Sequence, residues 1–165
     1  MSTSINILKQ TDIFYQLTQT QLELVANLCE ERIYKTGEII FYEGSNSDEL
    51  YIIVQGSIDI LVNPSLVSNR ANQKTDSVTI ATLRRGQSFG EIALVDQGLR
   101  SATARAAHDK TRLLIIPSEK LIQLCETYPD LGYRLMFNMA ADLALKIRST
   151  DLRIREELLY GRRRE

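Results

Sequence analysis

The sequence predicts a single domain of mainly β structure flanked by helices, in the α+β class, and three observations support this. The 165 residues fit one domain, 1–165, with an ordinary apolar content of 44%. Between about residues 32 and 116, short apolar runs are separated by glycines at close intervals, which is typical of a sandwich or barrel. On both sides of this segment, apolar residues recur at helical spacing instead.

The N-terminal zone, which extends to about Glu31, predicts a helix with apolar positions spaced helically over 22–29. Thr18 or Thr20 is the expected N-cap of this helix. The following β zone contains five runs rich in Ile, Val, Tyr and Phe, at residues 38–42, 50–54, 57–62, 78–83 and 112–116. The polar stretch 63–76 predicts a long hairpin loop between two of these strands.

The C-terminal zone, 117–160, predicts two helices. Ser118 is expected to cap a short helix that ends near Tyr128, and a helix of about 30 residues then begins near Asp130. Such a helix is longer than one side of a compact domain requires. We therefore expect this zone to act as a lid or as a dimerisation region.

Composition argues against several classes of function. The net charge of −1 gives no default preference for nucleic acid or membrane, and no apolar run is long enough to cross a bilayer. Cys29 and Cys125 lie within helical patterns and are expected to be reduced thiols in the cytoplasm. With His108 as the only histidine and no nucleophile paired with a base, we expect no metal, no cofactor and no catalysis.

The segment 89–103, FGEIALVDQGLRSAT, carries the most specific chemistry. Gly90 allows a close approach of the backbone to a ligand, and the next residues can form a helical turn with free N–H donors. Arg100 offers a planar fork of donors that suits two oxygens of one phosphate. Glu91 can accept a hydrogen bond from a sugar hydroxyl, so the segment suits phosphate and ribose together.

This segment resembles the phosphate-binding cassette of cyclic-nucleotide-binding domains, the family found in bacterial cAMP-receptor transcription factors, kinase regulatory subunits and cyclic-nucleotide-gated channels. The flanking motifs follow the family order, with glycines at 37, 44, 56 and 86. The resemblance covers about residues 10–155. It implies an eight-stranded antiparallel β-roll, a jelly-roll-like double-stranded β-helix, with an N-terminal helix and a short and a long C-terminal helix.

The resemblance also implies roles for individual residues. Glu91 would bind the ribose 2′-hydroxyl, and Arg100 would bind the cyclic phosphate. Smaller residues would complete the ligand site, namely Gly90, Ile92, Ala93, Ser101 and Ala102.

The residues that cover the base are expected on the long helix. In transcriptional relatives a Thr-Ser pair contacts adenine, and counting without gaps from Pro129 places that pair on Lys146 and Ile147. Ser149 and Thr150 lie about one turn further on and are the other candidates. Because guanine-selective cassettes more often carry threonine directly after the arginine, where this chain has Ser101, we expect cAMP rather than cGMP.

These observations predict a cyclic-nucleotide sensor that signals by repositioning its C-terminal helix toward a protein effector that the sequence does not identify. We also expect a homodimer through that helix, and no DNA-binding domain, because the chain ends at Glu165 without a basic recognition helix. The alternative is a ligand-independent β-roll that serves as an interaction or dimerisation scaffold and has a non-functional pocket.

Overall fold

The computed structural model describes residues 2–46, 48–64, 77–96 and 98–160. Most of the predicted hairpin loop at 63–76 lies outside these residues. The helices are α1 Ser2–Gln10, α2 Gln19–Ala26, α3 Ser118–Thr127 and α4 Pro129–Tyr160, with 3₁₀ turns at Asp12–Phe14 and Glu91–Leu94. The strands are β1 Glu30–Tyr34, β2 Ile39–Phe41, β3 Glu49–Gln55, β4 Ser57–Val62, β5 Val78–Arg84, β6 Ser88–Phe89, β7 Thr103–Ala106 and β8 Thr111–Pro117.

The eight strands form two antiparallel sheets, one in the order β1-β8-β3-β6 and the other in the order β2-β7-β4-β5. This arrangement confirms the predicted eight-stranded antiparallel β-roll with N-terminal and C-terminal helices. Four of the five predicted apolar runs lie within strands, and the run 38–42 extends one residue beyond β2 at each end. The five apolar runs do not include β1, β6 and β7, which are short or largely polar.

Strands β3 and β8 are continuously apolar because both of their faces are covered. The even-numbered residues of β3 from Leu50 to Val54 pack against the helices, as do Leu114 and Ile116 of β8. On the other face of the same strands, four side chains face the interior of the roll and the second sheet, namely Tyr51, Ile53, Leu113 and Ile115. Since successive side chains point to opposite faces of a strand, the roll has two apolar layers that share these central strands.

The N-terminal zone differs from the prediction at its end. The helix does not continue to Glu31, because α2 ends at Ala26 and β1 begins at Glu30. The start of α2 is a capping box in which the Thr18 side chain accepts from the backbone N–H of Gln21, and the Gln21 side chain accepts from Thr18. Of the two candidate caps, Thr18 is therefore the one used.

At the C-terminal zone, Ser118 is the first residue of α3 rather than its cap, which is Pro117. The long helix α4 begins at Pro129 and spans 32 residues. One face of its first half is buried, and on this face the Asn138 side chain donates to the carbonyls of Ile13 (3.2 Å) and Tyr15 (2.7 Å). Among the helices that the structure describes, none combines the length and apolarity required to cross a membrane.

Candidate functional site

A cavity of about 580 Å³ lies between the second sheet, the 3₁₀ turn Glu91–Leu94 and helix α4. Its volume is in the range of small-molecule sites. Three groups of residues line most of it: Phe41, Ile60, Ala81, Leu83 and Phe89 of the strands, Gly90, Glu91, Ile92, Arg100, Ser101 and Ala102 of the motif, and Asp142, Leu145, Lys146, Ser149, Thr150 and Arg153 of α4.

Gly90 precedes the 3₁₀ turn and has the left-handed backbone conformation, with φ of +77°. A Cβ at this position would lie 2.6 Å from Nη1 of Arg100 and 3.0 Å from the carbonyl oxygen of Glu49. Both the backbone conformation and the lack of space therefore require glycine here. The absence of a side chain allows the turn and the arginine to lie against each other.

Arg100 is only 5% exposed, and its backbone is fixed by hydrogen bonds to Gly44 and Ser45. Its guanidinium lies over the Phe41 ring at 4.1 Å, and Nη2 donates to the Glu49 carbonyl at 2.9 Å. Its Nε is buried without a hydrogen-bond partner among the described residues, and no described carboxylate forms an ion pair with it. Because burying a charge without an ionic partner is costly, this guanidinium suits an anionic ligand.

The aromatic residues beside Arg100 form a compact cluster. Tyr51 and Phe89 are stacked at 5.0 Å, and Phe41 lies 5.5 Å from Tyr51. The Tyr51 hydroxyl donates to the carboxylate of Glu49 at 2.6 Å, and burial, together with this carboxylate, raises the pKa of Tyr51. The cluster therefore presents neutral ring faces to the arginine, which is a favourable environment for a cation.

Glu91 is the buried carboxylate of the cavity, with a side chain that is 8% exposed. Its Oε1 accepts from Nζ of Lys146 at 2.6 Å, and the same Nζ lies 2.8 Å from Oδ2 of Asp142. Burial on its own would lower the pKa of Lys146, but attraction to Glu91 and Asp142 outweighs this effect and raises it. The lysine is therefore charged, and it joins α4 to the 3₁₀ turn.

Two hydroxyls and one arginine of α4 also face the cavity. Ser149 donates to the Leu145 carbonyl at 3.0 Å, and Thr150 donates to the Lys146 carbonyl at 2.9 Å. Further along, Nη1 of Arg153 donates to the carbonyl of Ile80 in β5 at 2.8 Å. This last contact spans the cavity from α4 to the edge strand of the second sheet.

Most of the predicted site residues are thus brought together. Gly90, Glu91, Ile92, Arg100, Ser101 and Ala102 line the cavity with Lys146, Ser149 and Thr150, and Ala93 lies in the 3₁₀ turn itself. Ile147 does not line the cavity, and its side chain is 62% exposed. Sequence reasoning missed Asp142 and Arg153, although their spacing of four and seven residues from Lys146 places them on the same helical face.

The other residues considered from the sequence lie away from this cavity. His108 Nδ1 is 2.7 Å from the Ser57 hydroxyl, and no metal-binding group of His, Cys, Asp and Glu side chains occurs within the described residues. Cys29 and Cys125 are free, and burial raises the pKa of both thiols, to about 12 for Cys29.

A family model and two curated relatives indicate the same protein family for this chain. The family model described as "Cyclic nucleotide-binding domain" matches residues 31–128. The Cyclic AMP receptor protein of Thermus thermophilus is 31% identical over 147 residues, which are 89% of this chain and 62% of that protein. The cAMP-dependent protein kinase regulatory subunit of Schizosaccharomyces pombe is 27% identical over 115 residues, 70% of this chain and 24% of the subunit. The chain therefore spans less than two thirds of the length of either relative.

A solved structure supports the fold independently. The crystal structure of a cyclic nucleotide-binding domain from Methylobacillus flagellatus superposes with a TM-score of 0.79 at 19% identity, covering 94% of this chain and 83% of that one. At this level of identity the likeness concerns the fold alone.

Proposed function

The chain belongs to the cyclic nucleotide-binding domain family, and from this premise we propose that it is a sensor that binds cAMP in the cavity described above. The observation that carries the proposal is the environment of Arg100, a buried guanidinium that forms no ion pair with a described carboxylate and lines a cavity of small-molecule size. A monoanionic cyclic phosphate supplies the missing charge. In this proposal the protein acts through binding and not through catalysis.

The phosphate lies against Arg100 and Ser101, and the free backbone N–H groups at the start of the 3₁₀ turn add donors for its oxygens. The ribose lies beside Glu91, whose carboxylate accepts from the 2′-hydroxyl. Gly90 and Ala102 carry little or no side chain, so they leave room for the sugar-phosphate ring.

The base lies toward α4, where Ser149 and Thr150 favour adenine. Both hydroxyls already donate to helix carbonyls, so they face the cavity as acceptors. Adenine presents an exocyclic amine where guanine presents a carbonyl oxygen, and an amine is the group that an acceptor recognises. The names of the two curated relatives, both of which refer to cAMP, support the same choice.

A second candidate function, a homodimer formed through α4, is favoured by the outer half of that helix. Six aliphatic side chains there are between 49% and 69% exposed: Leu145, Ile147, Leu152, Ile154, Leu158 and Leu159. Exposed apolar surface of this extent along one helix is typical of a protein interface. Light scattering after size-exclusion chromatography tests this, because a monomer at micromolar concentration contradicts it.

Isothermal titration calorimetry with cAMP and with cGMP tests the nucleotide proposal. We expect micromolar or tighter binding of cAMP, weaker binding of cGMP, and a loss of about a hundredfold in affinity for Arg100→Ala. Arg100→Lys keeps the charge without the planar fork and should be intermediate. The matched control is Arg85→Ala, which removes an exposed arginine from the turn after β5.

The result that contradicts the proposal is the absence of heat and of competition for either nucleotide in a folded wild-type protein. That outcome would support the ligand-independent scaffold, and attention would pass to the surface of α4. Melting curves followed by circular dichroism establish that each variant is folded before its affinity is compared.

A further inference from the structure

Lys146 was expected to cover the base, but the structure brings its ammonium to the carboxylate of Glu91. The Nζ–Oε1 distance is 2.6 Å, and Oδ2 of Asp142, one helical turn earlier, lies 2.8 Å from the same Nζ. The Lys146 side chain is 38% exposed, whereas the Glu91 side chain is 8% exposed. The lysine thus reaches from the surface of α4 into the part of the cavity that the 3₁₀ turn forms.

The charges around this contact favour a lysine beside the site proposed for an anionic ligand. Without it, two buried or half-buried carboxylates, Glu91 and Asp142, would lie close together in a cavity that receives a phosphate. Like charges at such distances repel each other strongly when they are shielded from water. The other charged residues that line the cavity are Arg100, Arg153, Asp12 and Asp96.

We propose that Lys146 is a positioning residue for the sugar: it holds Oε1 of Glu91 so that the carboxylate is oriented to accept a hydrogen bond from the ribose 2′-hydroxyl. This inference rests on the proposed function, and it assigns Lys146 to the ribose side of the site and not to the base. The same contact makes α4 part of the ribose subsite.

The geometry is compatible with a nucleotide that shares Glu91 with the lysine. A carboxylate has two oxygens with about four acceptor positions, so one ammonium contact leaves acceptors for a hydroxyl. The ammonium has three N–H donors, of which one is donated to Glu91, while Asp142 lies beside the ammonium as an ion-pair partner.

The test measures the ratio of the dissociation constants of 2′-deoxy-cAMP and cAMP, because the two ligands differ only in the hydroxyl from which Glu91 accepts a hydrogen bond. Lys146→Met keeps the aliphatic stem and removes the charge, Lys146→Arg restores a cation, and Arg148→Ala removes an exposed cation of α4 outside the cavity lining. In the wild type, we expect loss of the hydroxyl to weaken binding about ten- to hundredfold, as for a hydrogen bond to a charged group. In Lys146→Met, this ratio should fall to about fivefold or less, because the carboxylate is no longer held in place and its hydrogen bond to the hydroxyl becomes a weak one.

A double-mutant cycle distinguishes positioning from a general effect on the fold. Glu91→Gln should lower the same ratio, and adding Lys146→Met to it should change the ratio no further, because the lysine acts through the carboxylate. Lys146→Arg should recover at least half of the logarithm of the ratio that Lys146→Met loses. Arg148→Ala should have the same ratio as the wild type.

Two outcomes overturn the inference while leaving the proposed function intact. One is a folded Lys146→Met variant whose ratio of affinities for cAMP and 2′-deoxy-cAMP equals that of the wild type. The other is tighter binding of cAMP by that variant, which would mean that the lysine competes with the sugar. A wild-type protein that binds neither cAMP nor cGMP is a different result, since it removes the proposed function itself.

Discussion

Replacing Gly90 by alanine tests whether the close approach between the 3₁₀ turn and Arg100 organises the site. Gly37→Ala provides a matched control, because Gly37 has a similar positive φ of +84° and no atom of the described residues lies within 4 Å of its added Cβ. Both variants incur the cost of a left-handed alanine. Only the one at Gly90 also meets neighbouring atoms.

The left-handed conformation costs an L-residue about 1–2 kcal/mol, so the free energy of unfolding of Gly37→Ala should fall by that amount. At Gly90 the added Cβ lies 2.6 Å from Nη1 of Arg100 and 3.0 Å from the Glu49 carbonyl oxygen. The guanidinium cannot move away freely, because it donates a hydrogen bond to that carbonyl and forms a cation–π contact with Phe41. Overpacking of this kind adds about 1–3 kcal/mol, which brings the expected loss to about 2–5 kcal/mol.

Urea denaturation gives the two free energies, and calorimetry with cAMP gives the two affinities. We expect Gly37→Ala to bind cAMP like the wild type and Gly90→Ala to bind more than about tenfold more weakly, because Arg100 is displaced from the phosphate. Equal losses of stability in the two variants would refute the steric argument. Unchanged affinity in a destabilised Gly90→Ala would refute the link between this glycine and the arginine.

Three further predictions concern the surroundings of the site. Phe41→Leu removes the ring beneath Arg100 and should weaken cAMP binding about three- to tenfold in calorimetry, whereas unchanged affinity would show that the cation–π contact is unimportant. Asn138→Ala leaves two backbone carbonyls of the N-terminal segment without their donor, so urea denaturation should show a loss of about 1–3 kcal/mol; a neutral result would mean that water replaces the amide. Because burial raises the pKa of Cys29 to about 12, iodoacetamide at pH 8 should alkylate it more than about a hundredfold faster after unfolding, and equal rates would contradict the burial.

Sequence reasoning succeeded for strands whose composition follows from burial on both faces. The runs of β3 and β8 are apolar throughout because one face contacts the helices and the other contacts the second sheet. By contrast, the two residues of β6 form a strand only because Tyr51 and Ile52 of β3 pair with them. β1, with the sequence EERIY, has four exposed residues and carries no alternating apolar pattern, so the end of the N-terminal helix was placed too late.

The candidate site also contains some residues whose role could be predicted from the sequence and others whose role could not. Gly90, Glu91 and Arg100 are close in sequence and their chemistry is readable from spacing. Where a residue of α4 lies in the cavity depends on how that helix is rotated and tilted. Contacts such as those of Asn138 with the N-terminal segment determine this orientation. Spacing along the chain therefore identified Lys146 as a lid residue without indicating that it reaches Glu91.

The position of α4 indicates which of its contacts could change if a nucleotide binds as proposed. It is joined to the 3₁₀ turn through Lys146 and Glu91, and to β5 through Arg153 and the Ile80 carbonyl. A ligand shifts a conformational equilibrium only by contacts that differ between the two conformations. Since Lys146 and Arg153 line the cavity, a nucleotide bound there as proposed would lie beside the residues that form both contacts, and we expect it to change them without a large displacement of α4. Coupling between two sites is typically about 1–3 kcal/mol, which is the scale of one or two such charge-assisted contacts, so under the proposed function these two contacts are the ones whose change we expect to link nucleotide binding to α4.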